Sequence, residues 1–239
     1  MLNQILSGCV DLIFPLNCAA CGAFDPITEQ QPLCRACLNL IPYTRPPFCL
    51  GCGRGLRTYS EQGLCPDCVL QPPDFDGAWV FTRYEPPMTG LIRAFKFHNK
   101  TSLRKTFTHI GATFLDRYSP GLGADMLIPM PIHPVRLRER GYNQSDLLAH
   151  GLSTLTGIPL ATGILTKRRF LPRQSDLSRK ERWTNIQGAF KIENSSAIKG
   201  KHIFLVDDLL TTGATASAAA SELKTAGAAK VELLALSAA

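Results

Sequence analysis

The chain has 239 residues, of which 45% are hydrophobic and 19% charged, and its formal net charge is +7. No apolar run reaches the roughly eighteen residues that a transmembrane helix needs, so we expect no membrane span. The positive charge favours polyanionic partners, either phosphorylated substrates or nucleic acid. A moderately basic enzyme without such a partner is the alternative.

Residues 1–16 predict a short amphipathic helix docked on the body of the protein, with contact to a membrane surface as the alternative. The apolar residues at helical spacing are Leu2, Ile5, Leu6, Cys9, Leu12 and Ile13. The stretch lacks a basic region and a small-residue cleavage site, so we do not interpret it as a signal peptide. Cys9 has no paired cysteine nearby, and we expect it to be a small buried hydrophobe.

Eight of the nine cysteines form four C-x2-C pairs in the next part of the chain. The pairs are Cys18 with Cys21, Cys34 with Cys37, Cys49 with Cys52, and Cys65 with Cys68. Twelve residues separate the first pair from the second and the third from the fourth, so that two knuckles can surround one tetrahedral ion. The pattern predicts two structural Zn²⁺ ions. Disulfides are the rival explanation and would need an oxidising compartment.

The zinc sites are most simply filled in sequence order, and an interleaved pairing is the alternative. We predict one domain over residues 1–73, made of the N-terminal helix and a double zinc ribbon, and a second over residues 74–239. Metal binding would supply the folding free energy that so short a ribbon lacks. The ribbon would be a scaffold or a docking surface for a partner such as DNA, since no coordination position stays open for catalysis.

The second domain has the pattern of an α/β fold. Strand candidates lie at residues 77–85, 126–130, 163–166, 203–206 and 231–237, and helices at residues 88–99 and 102–118. The first of these helices carries Arg93, Lys96, His98 and Lys100. We interpret these cations as a solvated basic face, with contact to an anionic ligand as the alternative.

Residues 203–221, IFLVDDLLTTGATASAAAS, predict a buried strand, a phosphate-binding loop and a helix. We expect residues 209–215 to bind a dianion through backbone N–H groups, threonine hydroxyls and the helix N-terminus. Gly213 would let the backbone approach that anion closely. An ordinary surface turn is the alternative.

The two acids before this loop, Asp207 and Asp208, indicate what else the ligand carries. They would repel a phosphate unless they faced neutral hydroxyl groups, and a ribose 5-phosphate meets that need. The carboxylates would accept hydrogen bonds from its 2- and 3-hydroxyls, while a divalent cation offsets the remaining negative charge. Neither a Walker lysine loop nor a complete dinucleotide fingerprint occurs in the sequence.

A second strand end, followed by HPVRLRERG, predicts a pyrophosphate-binding loop, with a solvated basic face as the alternative. The candidates are His133, Arg136, Arg138 and Arg140. Asn143 is the predicted cap of the next helix. Residues 167–190 are long, polar and basic, so we expect a mobile hood that closes over the site, with a plain exposed loop as the alternative. Its cations include Arg168 and Arg182, and it is also the best candidate to contact a nucleic-acid backbone.

The string VDDLLTTGAT resembles the phosphoribosyl pyrophosphate (PRPP) motif of the type I phosphoribosyltransferases. The resemblance implies that Asp207 and Asp208 are the catalytic carboxylates and hold the ribose, and that Mg²⁺ accompanies PRPP. The PRPP-binding residues would be Asp207, Asp208, Leu209, Leu210, Thr211, Thr212, Gly213, Ala214 and Thr215. The pyrophosphate loop and hood would add His133, Arg136, Arg138, Arg140, Arg168 and Arg182.

Together with the four cysteine pairs and HPVRLRERGYNQSDLLA, this motif resembles the ComF competence family of bacteria over nearly the whole chain. The resemblance implies a type I phosphoribosyltransferase fold, which is Rossmann-like with a mostly parallel sheet, after a small zinc-ribbon domain. It also implies a cytoplasmic protein of natural transformation and DNA uptake that handles incoming single-stranded DNA, with other DNA-uptake proteins as further partners.

Two functions therefore compete. One is transfer of ribose 5-phosphate from PRPP to an unidentified acceptor, with release of pyrophosphate. The other is handling of single-stranded DNA, in which the PRPP site senses or positions a ligand. Aromatic residues beside the basic runs are few, namely Tyr142, Phe170 and Trp183, so the sequence supports a DNA surface only weakly.

Overall fold

A computed structural model describes residues 17–23, 32–57, 61–119, 121, 123–170 and 183–239. The strands in these residues are β1 (Gly77–Arg83), β2 (Met126–Pro129), β3 (Leu165–Lys167), β4 (Phe190–Ile192), β5 (His202–Leu210) and β6 (Lys230–Ala238). The helices are α1 (Arg35–Asn39), α2 (Pro66–Leu70), α3 (Met88–Phe97), α4 (Leu103–Tyr118), α5 (Pro134–Arg140), α6 (Gln144–Thr156) and α7 (Ala214–Thr225). The predicted N-terminal helix and Cys9 lie outside the described residues.

The main sheet is parallel and has the strand order β1-β6-β5-β2. Its two central strands, β5 and β6, are rich in leucine, isoleucine and valine and are buried over most of their length, as expected of parallel strands covered on both faces. The predicted α/β class with a mostly parallel sheet is confirmed. No helix among the described residues combines the length and the apolarity that crossing a bilayer requires.

The strand predicted at residues 163–166 exists, but it is displaced to β3 and lies outside the main sheet. It pairs antiparallel with β4, with Leu165 opposite Ile192 and Lys167 opposite Phe190. The predicted hood therefore begins and ends on a separate two-stranded sheet. Of the hood itself, residues 171–182 lie outside the part of the chain that the structure describes.

Two hydrophobic cores cover the opposite faces of the main sheet. Alternate residues of β5 divide between them, because successive side chains of a strand point to opposite faces: Ile203 and Leu205 enter one core, Phe204 and Val206 the other. Helix α7 covers the first face with alanines, and helices α3, α4 and α6 cover the second with larger side chains.

The cysteine groups are packed into these same two cores. Cys18, Cys34 and Cys37 are buried in the core beneath α3 and α4, whereas Cys49, Cys52 and Cys68 are buried in the core beneath α7. Backbone hydrogen bonds from Thr44 to Phe81 (3.0 Å) and from Arg83 to Pro42 (2.9 Å) also join the ribbon segment to β1. The ribbons thus extend the cores of the sheet, and the boundary at residues 73/74 stays a prediction.

Gly22 and Gly53 occupy equivalent positions in the two ribbons, and their surroundings show how closely the second ribbon packs against β1. Gly22 and Gly53 each follow a C-x2-C pair and have positive φ angles of +75° and +69°. A Cβ atom on Gly22 would have nothing within 4 Å, but one on Gly53 would lie 2.2 Å from the carbonyl oxygen of Ala78. We expect Gly22→Ala to lower the free energy of unfolding by about 1 to 2 kcal/mol through backbone strain.

Gly53→Ala should cost at least about 1 kcal/mol more than Gly22→Ala, because the ribbon must also move away from β1. Urea unfolding of the zinc-loaded proteins measures both effects. Equal losses for the two variants would show that the second ribbon is not held against the sheet at this point.

Candidate functional site

The candidate site lies at the carboxyl end of β5, where the sequence predicted it. The strand is longer than predicted, because Leu209 and Leu210 continue the parallel pairing with Ser237 and Ala238 of β6. Both carboxylates and both leucines are therefore strand residues, and the expectation that the loop begins at residue 209 is wrong. The connection to α7 is the short turn of Thr211, Thr212 and Gly213.

The turn after β5 has the backbone geometry of an anion-binding loop. Gly213 is the N-cap residue of α7, with a left-handed φ of 84° that favours glycine. The hydroxyl of Thr212 accepts a hydrogen bond from the Ala214 N–H group (3.4 Å), which fixes the start of the helix. The first turn of α7 follows at once, so its free N–H groups and its dipole face the end of β5.

Most of the predicted PRPP-binding residues line one open cleft. They are Asp207, Asp208, Leu209, Leu210, Thr211, Gly213 and Thr215. Thr212 and Ala214 do not line the cleft. The two residues are hydrogen-bonded to each other, and Ala214 is buried. The cleft is also lined by Lys96, Met130, Pro131, Ile132, Arg140, Gln144, Ser145, Lys167 and Ala216.

The two carboxylates have different partners. The Asp208 side chain is 8% exposed, and its Oδ1 lies 2.8 Å from Nζ of Lys96. Asp207 accepts hydrogen bonds on Oδ1 from the Ser145 hydroxyl (3.1 Å) and from the Asp208 backbone N–H (2.8 Å). Burial raises the pKa of Asp207 to about 7, the Asp208 charge adds to the rise, and Lys96 opposes both.

The prediction of a solvated basic face on α3 is wrong for Lys96. This lysine is 19% exposed and points to Asp208, so it belongs to the cleft. The strand end and the helix meet only in the folded chain, and no local pattern singles out Lys96 among the four cations of its segment. The position of Lys96 agrees instead with the alternative prediction, in which the cation lies near the site of an anionic ligand.

The predicted pyrophosphate loop follows β2 beside the end of β5. The Met130 N–H donates to the Val206 carbonyl (2.8 Å), and the Met130 carbonyl accepts from Asn143 Nδ2 (3.0 Å). Asn143 also caps α6, as predicted, by accepting from the Ser145 N–H (3.2 Å). One asparagine therefore fixes both the loop and the serine that contacts Asp207.

His133 acts as a structural link in this geometry. Its Nδ1 accepts from the Val135 N–H (3.2 Å) and caps α5, while Nε2 lies 3.2 Å from the Arg168 carbonyl oxygen. These contacts correspond to the neutral ring with its proton on Nε2. The residue joins the predicted pyrophosphate loop to the base of the hood.

The other predicted cations divide into two groups. Arg140 lines the cleft and donates to Gln144 Oε1 (3.0 Å). Arg136 pairs with Glu139 (3.1 Å), Arg138 is exposed, and Arg168 is exposed near Glu193 (4.0 Å), so none of these three lines the cleft. Arg182 lies outside the described residues.

Lys167, on β3, is a cation of the cleft that the sequence assigned only to the hood. Burial lowers the pKa of Lys167, and the negative charge of Asp207 offsets part of this decrease. Burial likewise lowers the pKa of Arg140, and the negative charge of Asp208 offsets part of that decrease. These desolvated cations face the two carboxylates from the hood side and from α5.

Two exposed aromatic rings lie against arginines of α5, one of which, Arg140, lines the cleft. The guanidinium of Arg140 lies 5.3 Å from the ring centre of Phe97, and that of Arg136 lies 5.2 Å from the ring centre of Phe170. Phe97 is 55% exposed and Phe170 is 46% exposed. Sequence reasoning singled out Phe170 but missed Phe97, which follows Lys96 at the end of α3.

The eight ribbon cysteines form two groups in sequence order, so the interleaved pairing is wrong. In Cys18, Cys21, Cys34 and Cys37, and again in Cys49, Cys52, Cys65 and Cys68, the Sγ atoms all lie within 4.8 Å of one another. Across the knuckles the distance is 3.8 Å from Cys21 to Cys34 and 3.7 Å from Cys52 to Cys65. A tetrahedral Zn²⁺ with bonds of about 2.3 Å needs sulfur atoms about 3.8 Å apart, so both donor sets fit zinc.

Comparison with known proteins gives matches over both parts of the chain. A family model described as a double zinc ribbon domain matches residues 9–69, and one described as a phosphoribosyl transferase domain matches residues 140–239. Competence protein F of Haemophilus influenzae is 30% identical over 224 residues, which cover 92% of this chain and 96% of that protein.

Two further relatives carry related names. The DNA utilization protein YhgH of Shigella flexneri is 30% identical over 220 residues, covering 84% of this chain and 94% of that protein. Competence protein ComFC of Bacillus subtilis is 28% identical over 195 residues, covering 79% of this chain and 76% of that protein.

The raised pKa of Asp207 predicts how stability depends on pH. The folded chain keeps this proton at pH values where the unfolded chain has lost it, so the contribution to stability is complete below the ordinary carboxyl pKa. It is lost as the pH rises through about 7. Relative to Asp207→Asn, the wild type should lose free energy of unfolding as the pH rises from about 4 to about 7, with little further change above that.

Urea midpoints across this pH range, with zinc in excess, measure the difference between the two proteins. Glu85→Gln removes an exposed carboxylate that pairs with Arg83, and its curve should run parallel to that of the wild type. A curve for Asp207→Asn that also runs parallel would show that this carboxyl does not titrate near neutral pH.

Proposed function

The chain belongs to the competence protein F family, and from this premise we propose that it binds PRPP and acts in natural transformation by handling incoming single-stranded DNA. The observation that carries the proposal is the paired carboxylates of β5 leading directly into a threonine-glycine turn at a helix N-terminus. This arrangement offers hydrogen-bond acceptors to a sugar and donors to its phosphate within one cleft.

Each part of PRPP has complementary groups in the cleft. The 5-phosphate would accept hydrogen bonds from the N–H groups and hydroxyls around Thr211, Gly213 and Thr215. Asp207 and Asp208 would accept hydrogen bonds from the ribose hydroxyls, and Ser145 and Lys96 hold these carboxylates in place. The diphosphate would lie toward the loop of residues 130–133, where Arg140 and Lys167 supply positive charge.

Mg²⁺ suits this proposal because hard carboxylate oxygens and phosphate oxygens are its usual ligands, and when bound it would neutralise charge on the diphosphate. Lys96 Nζ lies 2.8 Å from Asp208 and compensates part of its charge. Asp207 has a pKa of about 7, so it is the carboxyl group of the pair that loses its proton near neutral pH. Deprotonated Asp207 would be the better acceptor for a sugar hydroxyl.

The surface around the cleft supports the DNA part of the proposal. Single-stranded DNA binds surfaces that combine cations for the backbone with aromatic rings on which bases stack. The pair Arg140–Phe97 supplies both at the cleft, the pair Arg136–Phe170 supplies both elsewhere along α5, and Arg168 adds an exposed cation two residues before Phe170. A cytoplasmic location and other DNA-uptake proteins as partners complete this proposal.

A second candidate function, transfer of ribose 5-phosphate from PRPP to an acceptor, is favoured by the cations of the cleft. Arg140 and Lys167 would stabilise the negative charge of a departing diphosphate, while Asp207 and Asp208 orient the ribose. The test is release of pyrophosphate from PRPP in the presence of nucleobases, amines or single-stranded DNA. Release that depends on an acceptor identifies a transferase, and binding without release assigns a ligand-sensing or positioning role.

Removing both carboxylates should weaken PRPP binding. We expect Asp207→Asn combined with Asp208→Asn to raise the dissociation constant for PRPP with Mg²⁺ by at least about tenfold, because two charge-assisted acceptors are lost. Isothermal titration calorimetry measures the effect. Asp125→Asn is the matched control, since Asp125 accepts from the His202 N–H at the opposite end of β5 (2.8 Å). Unchanged affinity in the double variant would refute the ribose site.

The two aromatic-cation pairs predict separate effects on DNA. Phe170→Ala should weaken binding of an oligothymidine about fivefold to a hundredfold through lost stacking, with little change in salt dependence. Arg136→Gln should reduce the slope of log affinity against log salt by about 1. Fluorescence anisotropy at several salt concentrations measures both values.

Arg117→Gln provides the control for this experiment, because Arg117 makes the same kind of contact with the Tyr118 ring (5.4 Å) at the end of α4. It should leave DNA affinity unchanged. The DNA proposal fails if the wild type binds no DNA at low salt, or if the control variant weakens binding as much as Phe170→Ala and Arg136→Gln do.

A further inference from the structure

The two zinc ribbons repeat the same knuckle. In the first, the Cys18 N–H donates to the Ala23 carbonyl (2.8 Å) and the Gly22 N–H donates to the Cys18 carbonyl (2.8 Å). In the second, the Cys49 N–H donates to the Arg54 carbonyl and the Gly53 N–H to the Cys49 carbonyl, both at 2.8 Å. Arg54 therefore occupies the position in the second knuckle that Ala23 occupies in the first.

The side chain of Arg54 reaches from this knuckle to the phosphate loop. Its Nη1 lies 3.6 Å from Sγ of Cys52, a zinc ligand. Its Nη2 donates to the carbonyl of Thr211 and lies 3.4 Å from the carbonyl of Leu210. One guanidinium thus contacts a metal ligand and the two residues at which β5 passes into the loop.

We propose that Arg54 is a positioning residue that couples the zinc of the second ribbon to the phosphate loop, so that zinc retention and PRPP binding support each other. The proposal deepens the proposed function and rests on PRPP as the ligand. The first ribbon, with alanine at the equivalent position, has no such side chain and should not take part.

The coupling follows from how the two ends of the contact are held. When bound, zinc would close the knuckle and fix the backbone of Arg54, and the four thiolates around it would carry a net negative charge that attracts the guanidinium. At the other end, the guanidinium binds the Thr211 carbonyl, so that this carbonyl would stay engaged with Arg54 and not turn toward an anion bound at the loop. Loss of zinc would release the knuckle and this carbonyl together.

Linkage makes the effect reciprocal, and the wild-type protein tests it without any substitution. The full chain is equilibrated with increasing concentrations of a chromogenic chelator, and the affinity of each of its two zinc sites is measured with and without saturating PRPP. One site should bind zinc about fivefold or more tightly with PRPP, and the other with unchanged affinity. If PRPP binds calorimetrically but tightens neither site, or tightens both equally, the proposal is overturned.

Two variants identify the residue that carries the coupling. Arg54→Ala installs the residue type of the first ribbon, and we expect about fivefold or more weaker PRPP binding and loss of the effect of PRPP on zinc affinity. Arg54→Lys keeps the charge but not the two-pronged geometry, so it should restore zinc retention more than PRPP affinity. Arg57→Ala removes a nearby exposed arginine and should behave as the wild type. Unchanged PRPP affinity and an unchanged effect of PRPP on zinc affinity in Arg54→Ala would refute the role of Arg54.

A ligand-free measurement separates failure of this proposal from failure of the proposed function. Hydrogen exchange of peptides covering residues 209–217 should be faster in Arg54→Ala than in the wild type or in Arg57→Ala, with zinc bound in all three. If PRPP does not bind the wild type but this difference is found, the ligand is wrong and the anchoring of the loop stands. Equal exchange in all three proteins overturns the anchoring itself.

Discussion

Two adjacent carboxylates at the end of a central strand are the constraint around which the site is built. Asp208 is buried and Asp207 is partly buried at the end of β5, and two adjacent negative charges in such a place need compensation. Lys96 supplies part of it at 2.8 Å, and the raised pKa of Asp207 supplies another part by retaining a proton. A sugar with two adjacent hydroxyl groups would supply the further hydrogen-bond donors that these two carboxylates can accept from.

The zinc ribbons are a structural part of this arrangement. Six of their eight cysteines are buried in the two cores that cover the main sheet, and Gly53 approaches the backbone of β1 too closely for any side chain. A segment with so few residues depends on metal binding to fold, and here the folded ribbons also pack against the main sheet. Arg54 extends these contacts to the carbonyl groups of Leu210 and Thr211, so the second cysteine group and the candidate cleft share one network of contacts.

Local patterns predicted the parts of the protein whose causes are local. The C-x2-C spacing predicts the two zinc groups, the apolar run before Asp207 predicts β5, and Asn143 has the side chain of a helix cap. The length of β5 was underestimated because Leu210 is held in the strand by β6, far away in sequence. For the same reason, Lys96 was predicted as a solvated cation, Lys167 was assigned only to the hood, and Arg54 was not considered. Lys96 and Lys167 reach the cleft, and Arg54 reaches the carbonyls of Leu210 and Thr211, only through tertiary packing. For Arg54, the comparison with Ala23 offers a sequence signal.

The central claim is that one sugar phosphate is bound between the acids of β5 and the turn before α7. A crystal structure of the zinc-loaded protein with PRPP and Mg²⁺ tests it most directly. We expect the 5-phosphate within hydrogen-bonding distance of the Gly213 and Thr215 N–H groups and the ribose hydroxyls against Asp207 and Asp208. PRPP bound elsewhere on the protein, with this cleft left empty, would refute the proposed site.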